Sequence, residues 1–267
     1  MNLRTLRRLL RVEQWYKNLL IFLPYLFLRD SSMSFWPLLL AFFSFSAISS
    51  STYILNDWID RKEDALHPLK KTRPLASGEI SGFSAVVVAG LLICFVLLSG
   101  FYLGEIFLGT VCLYFALTNL YSFGFKKIPL LDSVMIASNF VLRTAAGFVL
   151  WPGEEALYYL SFVFGLTLIL LSHKRRSDIK LLGEQKAIKH KAVLKYYTPR
   201  VCYLLRLLAY ILVGYSFCQL ASNGGSVALL ARAYIFLLFL SIVFSRHPDL
   251  AIKPHRIFSW IFGLQKS

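Results

Sequence analysis

The chain has 267 residues, 57% hydrophobic and 16% aromatic, with a mean hydropathy of +0.60; this excludes an ordinary soluble domain and predicts a polytopic membrane protein. Its formal net charge of +15 could mark nucleic-acid binding, but the placement of the charges along the chain argues against that. Cys94, Cys112, Cys202 and Cys218 all lie inside apolar segments without paired spacing, so they read as packing residues, implying neither a disulfide framework nor a metal site.

Residues 1 to 18 interleave Arg4, Arg7, Arg8, Arg11 and Lys17 with leucines, the pattern of an amphipathic lead-in lying on the membrane surface. Apolar segments follow at 18–28, 36–55, 83–103, 105–123, 131–151, 156–172, 201–221, 226–245 and 257–264. They predict an all-α bundle of about nine transmembrane helices, with residues 1–267 forming one membrane-embedded domain. The first segment is short and contains Pro24, so it is expected to begin before its apolar run. It leads into Arg29-Asp30 without a small-residue cleavage site, so no removable signal peptide is expected. The last segment is too short to span alone and is expected to be interfacial or tilted.

With the N-terminus placed inside, the even-numbered helices end on the cytoplasmic side at 56–82, 124–130, 173–200 and 246–256. Those connections and the lead-in hold 24 of the 29 Lys and Arg residues, and the opposite-side connections hold only Arg29. This asymmetry predicts a multi-pass protein of the cell (inner) membrane with its N-terminus and active site cytoplasmic. It also accounts for most of the net charge without nucleic acid. The two largest cytoplasmic connections follow the second and sixth segments, a spacing that hints at a four-helix pseudo-repeat with the two loops facing one cavity. Leu181, Leu182, Ile188, Val193 and Leu194 among the charges of 173–200 predict a helical hairpin there.

Residues 56 to 64 hold four of the fourteen acidic residues. On a helix, Asp57, Asp60 and Asp64 fall within about 60° of one another. Three carboxylates on one face repel unless something positive lies between them, and oxygen ligands in this number suit Mg²⁺ shared with substrate phosphates. Asn56 adds an uncharged acceptor at the edge of the face, and Lys70, Lys71 and Arg73 gather beside it. The alternative is a solvated acidic turn in which Arg61, Lys62 and Glu63 pair locally. A uniformly acidic face argues against it, because solvated helix faces usually alternate sign.

The motif Asn56-Asp57-x-x-Asp60-x-x-x-Asp64 resembles the first aspartate motif of the UbiA superfamily of intramembrane prenyltransferases. Gln14-Trp15-x-Lys17-Asn18-Leu19, His67-Pro68-x-Lys70-x-x-Arg73-Pro74 and Gly78 resemble one branch of it, the decaprenyl-phosphate phosphoribosyltransferases. So do Lys127-x-Pro129-x-x-Asp132, Val141-Leu142-Arg143-x-x-Ala146-Gly147, Lys174-Arg175, Leu182-Gly183-Glu184 and Val193-Leu194-x-x-Tyr197-Thr198. The resemblance covers residues 10 to about 200. It implies Mg²⁺-dependent transfer of 5-phosphoribosyl from phosphoribosyl diphosphate to a polyprenyl phosphate of decaprenyl type. Asp57, Asp60 and Asp64 would be the catalytic, metal-holding set, and Asn56, Lys70 and Arg73 would contact substrate.

Further candidates are Lys17, Asn18, Arg143, Lys174, Arg175 and Asp178. Arg143 lies inside the fifth apolar segment, where a guanidinium needs a polar cavity or a partner. It is expected to contact a substrate phosphate, with pairing to Asp132 or another helix as the alternative. Lys17 and Asn18 could reach the same cavity, unless Lys17 only snorkels. Lys174 and Arg175 could neutralise a second phosphate group or be simply topogenic. Only Asp178 and Glu184 stand where prenyl-diphosphate users of the superfamily carry a second aspartate-rich motif. That departure counts against the alternative function, a prenyltransferase using polyprenyl diphosphate to alkylate an aromatic or other acceptor. A small transporter would account for the helices and Arg143, but not for an acidic triad beside Lys70 and Arg73.

Overall fold

The computed structural model describes residues 2–28, 34–66 and 70–222, in which every regular element is helical. Among them six helices are long and apolar enough to cross a membrane. These are α3 (Trp36–Ile59), α5 (Gly82–Leu103), α6 (Glu105–Phe123), α7 (Leu131–Leu150), α8 (Ala156–Leu182) and α10 (Pro199–Ser222). Shorter helices are α1 (Leu3–Leu10), α2 (Leu23–Leu28), α4 (Arg61–Leu66) and α9 (Glu184–His190), and 3-10 segments cover Val12–Phe22 and Ala192–Tyr196.

The helix ends follow local chemistry. Ser81 caps α5 by accepting the Ser84 N–H at 3.1 Å, a proline in the first turn opens α3, and α8 stops at Gly183, whose φ of 75° suits glycine. Two segments differ from what the sequence predicts. The 18–28 segment is no single long helix: it is the 3-10 run from Val12, earlier than its apolar stretch as expected, followed by the six residues of α2, with Pro24 in that helix's first turn. Residues 173–182 are not loop but the last turns of α8, so Lys174, Arg175 and Asp178 project from a helix. The expected hairpin is reduced to α9 and the following 3-10 turn. The 226–245 and 257–264 segments, His67 and Pro68 lie outside the described residues.

Contacts divide the chain into two compact units. The first comprises the described parts of Met1–Phe123 with Leu142–Glu154. In it α3 packs along α5 and the 3-10 segment, around a core that includes Ile21, Phe45, Phe107, Val111, Ala146 and Trp151. One stretch of α3 is lined with buried hydroxyls, from Ser44 to Thr52. Their protons go to carbonyls four residues back, as in Ser46 to Phe42 O at 2.8 Å and Thr52 to Ile48 O at 3.0 Å. They also tie neighbours together: Ser44 to Ser99 at 2.6 Å, Ser49 to Tyr114 at 3.0 Å and Ser50 to the α1 carbonyl of Leu10 at 2.7 Å. Small hydroxyl residues let apolar helices approach closely while keeping their own polar groups paired. Gly147 serves the same end, since a Cβ there would collide with the backbone carbonyl of Ile21.

The second unit comprises the described parts of Gly124–Val141 with Glu155–Ser267. Here α8 pairs with α10 around Ile169, Ala209 and Val213. Gly165 permits the approach, as a Cβ there would lie 2.8 Å from Val213 Cγ2 and 3.0 Å from the Ala209 carbonyl oxygen.

Candidate active site

The aspartate motif straddles a helix break in the first unit. Asn56 and Asp57 belong to the last turn of α3, Asp60 caps it with φ −82° and ψ −1°, and α4 restarts at Arg61. The break is shallow: the Asp60 N–H still reaches Asn56 O at 3.0 Å and the Asp64 N–H reaches Asp60 O at 2.9 Å. Helical spacing therefore survives well enough to turn Asp57 and Asp64, both buried, toward one point. At that point is Arg73, whose Nη1 donates to Asp57 Oδ1 at 3.0 Å and to Asp64 Oδ2 at 2.6 Å. Arg11 Nη2 donates to Asp57 Oδ1 at 2.6 Å, and Lys70 Nζ lies 3.3 Å from Asp64 Oδ1. Asn56 is held by Ser122, to whose hydroxyl it donates at 3.3 Å. Asp60 is half-buried, and its carboxylate has no partner among the described residues. Glu63, about 120° round a helix from Asp57, is exposed.

The positive charge required between these carboxylates is thus supplied by the chain itself. Among the described residues no three acidic, histidine or cysteine groups come together as a metal site; of the three expected ligands, Asp57 and Asp64 converge on Arg73 and Asp60 stands at their edge. The donor set is nevertheless suited to Mg²⁺. Two buried carboxylates already bracket one cationic atom, and Asp60 and Asn56 lie within the same turn and a half.

Arg11 was not singled out from the sequence as a site residue, because its contact with Asp57 spans 46 positions and its neighbours made it look like any lead-in cation. Its backbone is left-handed, φ 49° and ψ 48°, and its guanidinium lies 4.5 Å over the Tyr53 ring. A non-glycine residue there stores strain that the surrounding contacts must offset. Arg8, Arg11, Asp57, Thr72 and Arg73 line a cavity of about 300 Å³ beside the aspartates. Arg8 closes one edge by donating to Glu79 at 2.9 Å and to the Thr72 carbonyl. This bond from Arg8, foremost, holds the exposed Glu79 carboxyl below its usual range.

Arg143 is only 5% exposed and is held within the first unit. Its Nε donates to Asn18 Oδ1 at 2.8 Å and its Nη2 to the Tyr114 hydroxyl at 2.8 Å, with the guanidinium 4.7 Å over the Tyr114 ring. Asn18 in turn donates to Ser46 at 3.0 Å. Two sequence candidates 125 positions apart are therefore one network, with Tyr114 as the member that sequence reading missed. Lys17, next to Asn18, is half-buried.

The pairing once open between Arg143 and Asp132 is replaced by another. Asp132, fully buried at the start of α7, accepts from Arg175 Nη2 at 2.7 Å, Lys191 Nζ at 3.1 Å and the Tyr197 hydroxyl, all in the second unit. Tyr197 also contacts Ser133 at 2.5 Å. Burial, then the Asp132 carboxylate, pushes the Tyr197 phenol above its ordinary value, so it remains a donor. Burial and the neighbouring Arg175 hold Lys191 below its ordinary value despite Asp132, because one carboxylate serves two cations. Lys174 points to the exposed side of α8, and Asp178 is half-buried.

Six apolar helices are those of an integral membrane protein, and in its first unit Arg11 and Arg73 sit on a buried pair of aspartates. A model of the UbiA prenyltransferase family matches residues 18–262, and the chain belongs to that family. Membership sets the class expected from the sequence, a membrane transferase. A decaprenyl-phosphate phosphoribosyltransferase of Corynebacterium glutamicum is 29% identical over 235 residues, covering 81% of this chain and 69% of that protein. An uncharacterized protein y4nM of Sinorhizobium fredii is 40% identical over 149 residues, covering 53% of this chain, which spans only 28% of that protein's length. The fold matches that of a UbiA homolog from Archaeoglobus fulgidus bound to DMAPP and Mg²⁺, with TM-score 0.74, 20% identity, and 96% and 95% of the two chains covered.

Proposed function

We propose that the chain transfers 5-phosphoribosyl from phosphoribosyl diphosphate to a polyprenyl phosphate of decaprenyl type, with Mg²⁺ as cofactor. The observation that carries this reading is the convergence of buried Asp57 and Asp64 on Arg73, with Arg11 on the Asp57 side and Lys70 on the Asp64 side. Asp57 and Asp64, with Asp60 and Asn56 at the edge, would hold the metal ion, which supplies charge neutralisation for the leaving diphosphate. Lys70 and Arg73 contact the diphosphate oxygens. A phosphate oxygen of the lipid attacks ribose C1 as the C1–O bond to diphosphate breaks, and the electron pair leaves with the diphosphate. Because the acceptor is already an anion, no general base is needed. The residues act by positioning and by electrostatics.

Arg143, with Asn18 and Lys17 beside it, is assigned to a substrate phosphate. Lys174 is assigned to the second phosphate group and Asp178 to substrate binding on the same helix, whereas Arg175, the other candidate for that phosphate, is committed to Asp132 and orients that region. The charge asymmetry of the connections supports a cytoplasmic N-terminus and active site in the inner membrane. The family match over residues 18–262 runs through both units and supports one transferase domain. Incubating purified protein with Mg²⁺, phosphoribosyl diphosphate and decaprenyl phosphate tests the reading. It predicts a phosphoribosylated lipid; no such lipid, with product instead from polyprenyl diphosphate and an aromatic acid, would replace it by the prenyltransferase reading.

A further inference from the structure

We propose that Arg11 and Arg73 are exchange cations: they neutralise Asp57 and Asp64 before loading and pass to the phosphate oxygens of the donor when a divalent ion takes their place. The inference rests on the metal and diphosphate part of the function proposed above. Its basis is the charge balance at one point. Two buried carboxylates carry two negative charges and two guanidinium groups lie 2.6–3.0 Å from them, while Lys70 Nζ, 3.3 Å from Asp64 on a side chain 43% exposed, can turn to water. One divalent ion carries the same charge as the two arginines it would displace.

The consequence follows from where the displaced groups go. Each arginine side chain is less than a third exposed, at 28% for Arg11 and 29% for Arg73. A metal ion arriving alone would strip them of their partners and leave them half-desolvated and unpaired, which is costly. A metal ion arriving with a diphosphate brings new partners for them, and a guanidinium fork matches phosphate oxygens in pairs. The cavity of about 300 Å³ that both arginines line gives them room to turn. Metal and diphosphate therefore bind as a coupled pair, each raising the affinity of the other by the same factor. Before loading, the aspartates are kept ordered and closed to stray cations.

The test is the sign of an affinity change, read without any turnover. Full-length protein in detergent is titrated with Mn²⁺ alone, free Mn²⁺ being followed by its paramagnetic resonance signal. Arg73→Gln and Arg11→Gln should each bind Mn²⁺ alone at least threefold more tightly than wild type, because a competing cation is gone. The same variants, with Mn²⁺ saturating, should retain labelled inorganic diphosphate at least tenfold less tightly. Arg73→Lys, which keeps the charge, should stay near wild type in the first titration. Unchanged or weaker Mn²⁺ binding in both glutamine variants would overturn the proposal. If neither glutamine variant folds, wild type decides: its dissociation constant for Mn²⁺ alone must exceed that for the preformed Mn²⁺–diphosphate complex at least tenfold, and equal constants refute the exchange. Since neither arm requires ribosyl transfer, a protein that shows this coupling but transfers no phosphoribosyl removes the proposed function and keeps the exchange.

Discussion

Asp132→Asn isolates the most demanding polar contact in the second unit. The carboxylate is fully buried and holds Arg175 at 2.7 Å, Lys191 at 3.1 Å and the Tyr197 hydroxyl. Asparagine keeps the shape but removes the only negative charge among these partners, and its amide NH₂ must face one of three donors. Removing one member of a buried ion pair costs about 3–5 kcal/mol, chiefly by stranding the other charge. Arg175 is nearly buried, whereas the Lys191 side chain is 26% exposed and can turn to water, so the lower end, about 3 kcal/mol, is expected. For a domain of this size that corresponds to a fall in melting temperature of about 6–12 °C. Circular dichroism melting in detergent measures it. A variant melting within about 2 °C of wild type would show that the network is not what orders this unit. The double change Asp132→Leu with Arg175→Met should recover much of the loss, since an apolar pair of similar volume replaces a buried ion pair at little cost.

Asp57→Asn should abolish turnover with the protein still inserted and folded, while Glu63→Gln, on the exposed side of α4, should leave kcat within about twofold; equal losses would contradict a single catalytic face. Gly147→Ala should cost about 1–3 kcal/mol in a melting experiment, because the obstacle is the Ile21 backbone and not a side chain that can swing. Gly90→Ala, with open space around it, should be neutral or mildly stabilising, and a reversed order would sink the packing argument. Arg143→Lys keeps the charge but loses the planar fork; the loss of about 2–3 kcal/mol should appear as roughly a 30- to 150-fold fall in kcat/KM for one phosphorylated substrate, and an unchanged kcat/KM would make Arg143 purely structural. Glu79, its carboxyl held low chiefly by Arg8, contributes to docking of α1 above the ordinary carboxylate range and loses that contribution as pH falls through its lowered value. Hydrogen exchange in α1 should therefore rise in acid, and at neutral pH in Glu79→Gln.

The six long helices were legible because runs of apolar residues of that length have few other uses. Their charged ends were not. Hydropathy falls where charge begins, but α3 continues through Asp57 to Ile59 and α8 through Arg175 to Leu182, because a helix needs only backbone pairing to continue. The hydroxyl stripe of α3 was hidden for a related reason: Ser44, Ser46, Ser51 and Thr52 satisfy themselves on the preceding turn, so an apolar run tolerates them. Helical spacing alone identified Asp57 and Asp64 as neighbours. Arg73, nine positions beyond Asp64, also stood out beside them, but Arg11 comes from 46 positions before Asp57, and the partners of Arg143 come from positions 18 and 114. Spacing carries no information over such separations; only the fold brings them together.

The proposed transfer breaks the bond between ribose C1 and diphosphate. It is tested most directly by following two labels in one reaction, with the donor carrying ³³P in its 5-phosphate and ³²P in its β-phosphate. The 5-phosphate label should appear in the lipid fraction and the β label in free diphosphate, in equal amounts, and neither should move without Mg²⁺ or in Asp57→Asn. Arrival of the β label in the lipid, or release of diphosphate from a polyprenyl diphosphate while the sugar donor stays intact, would contradict the account.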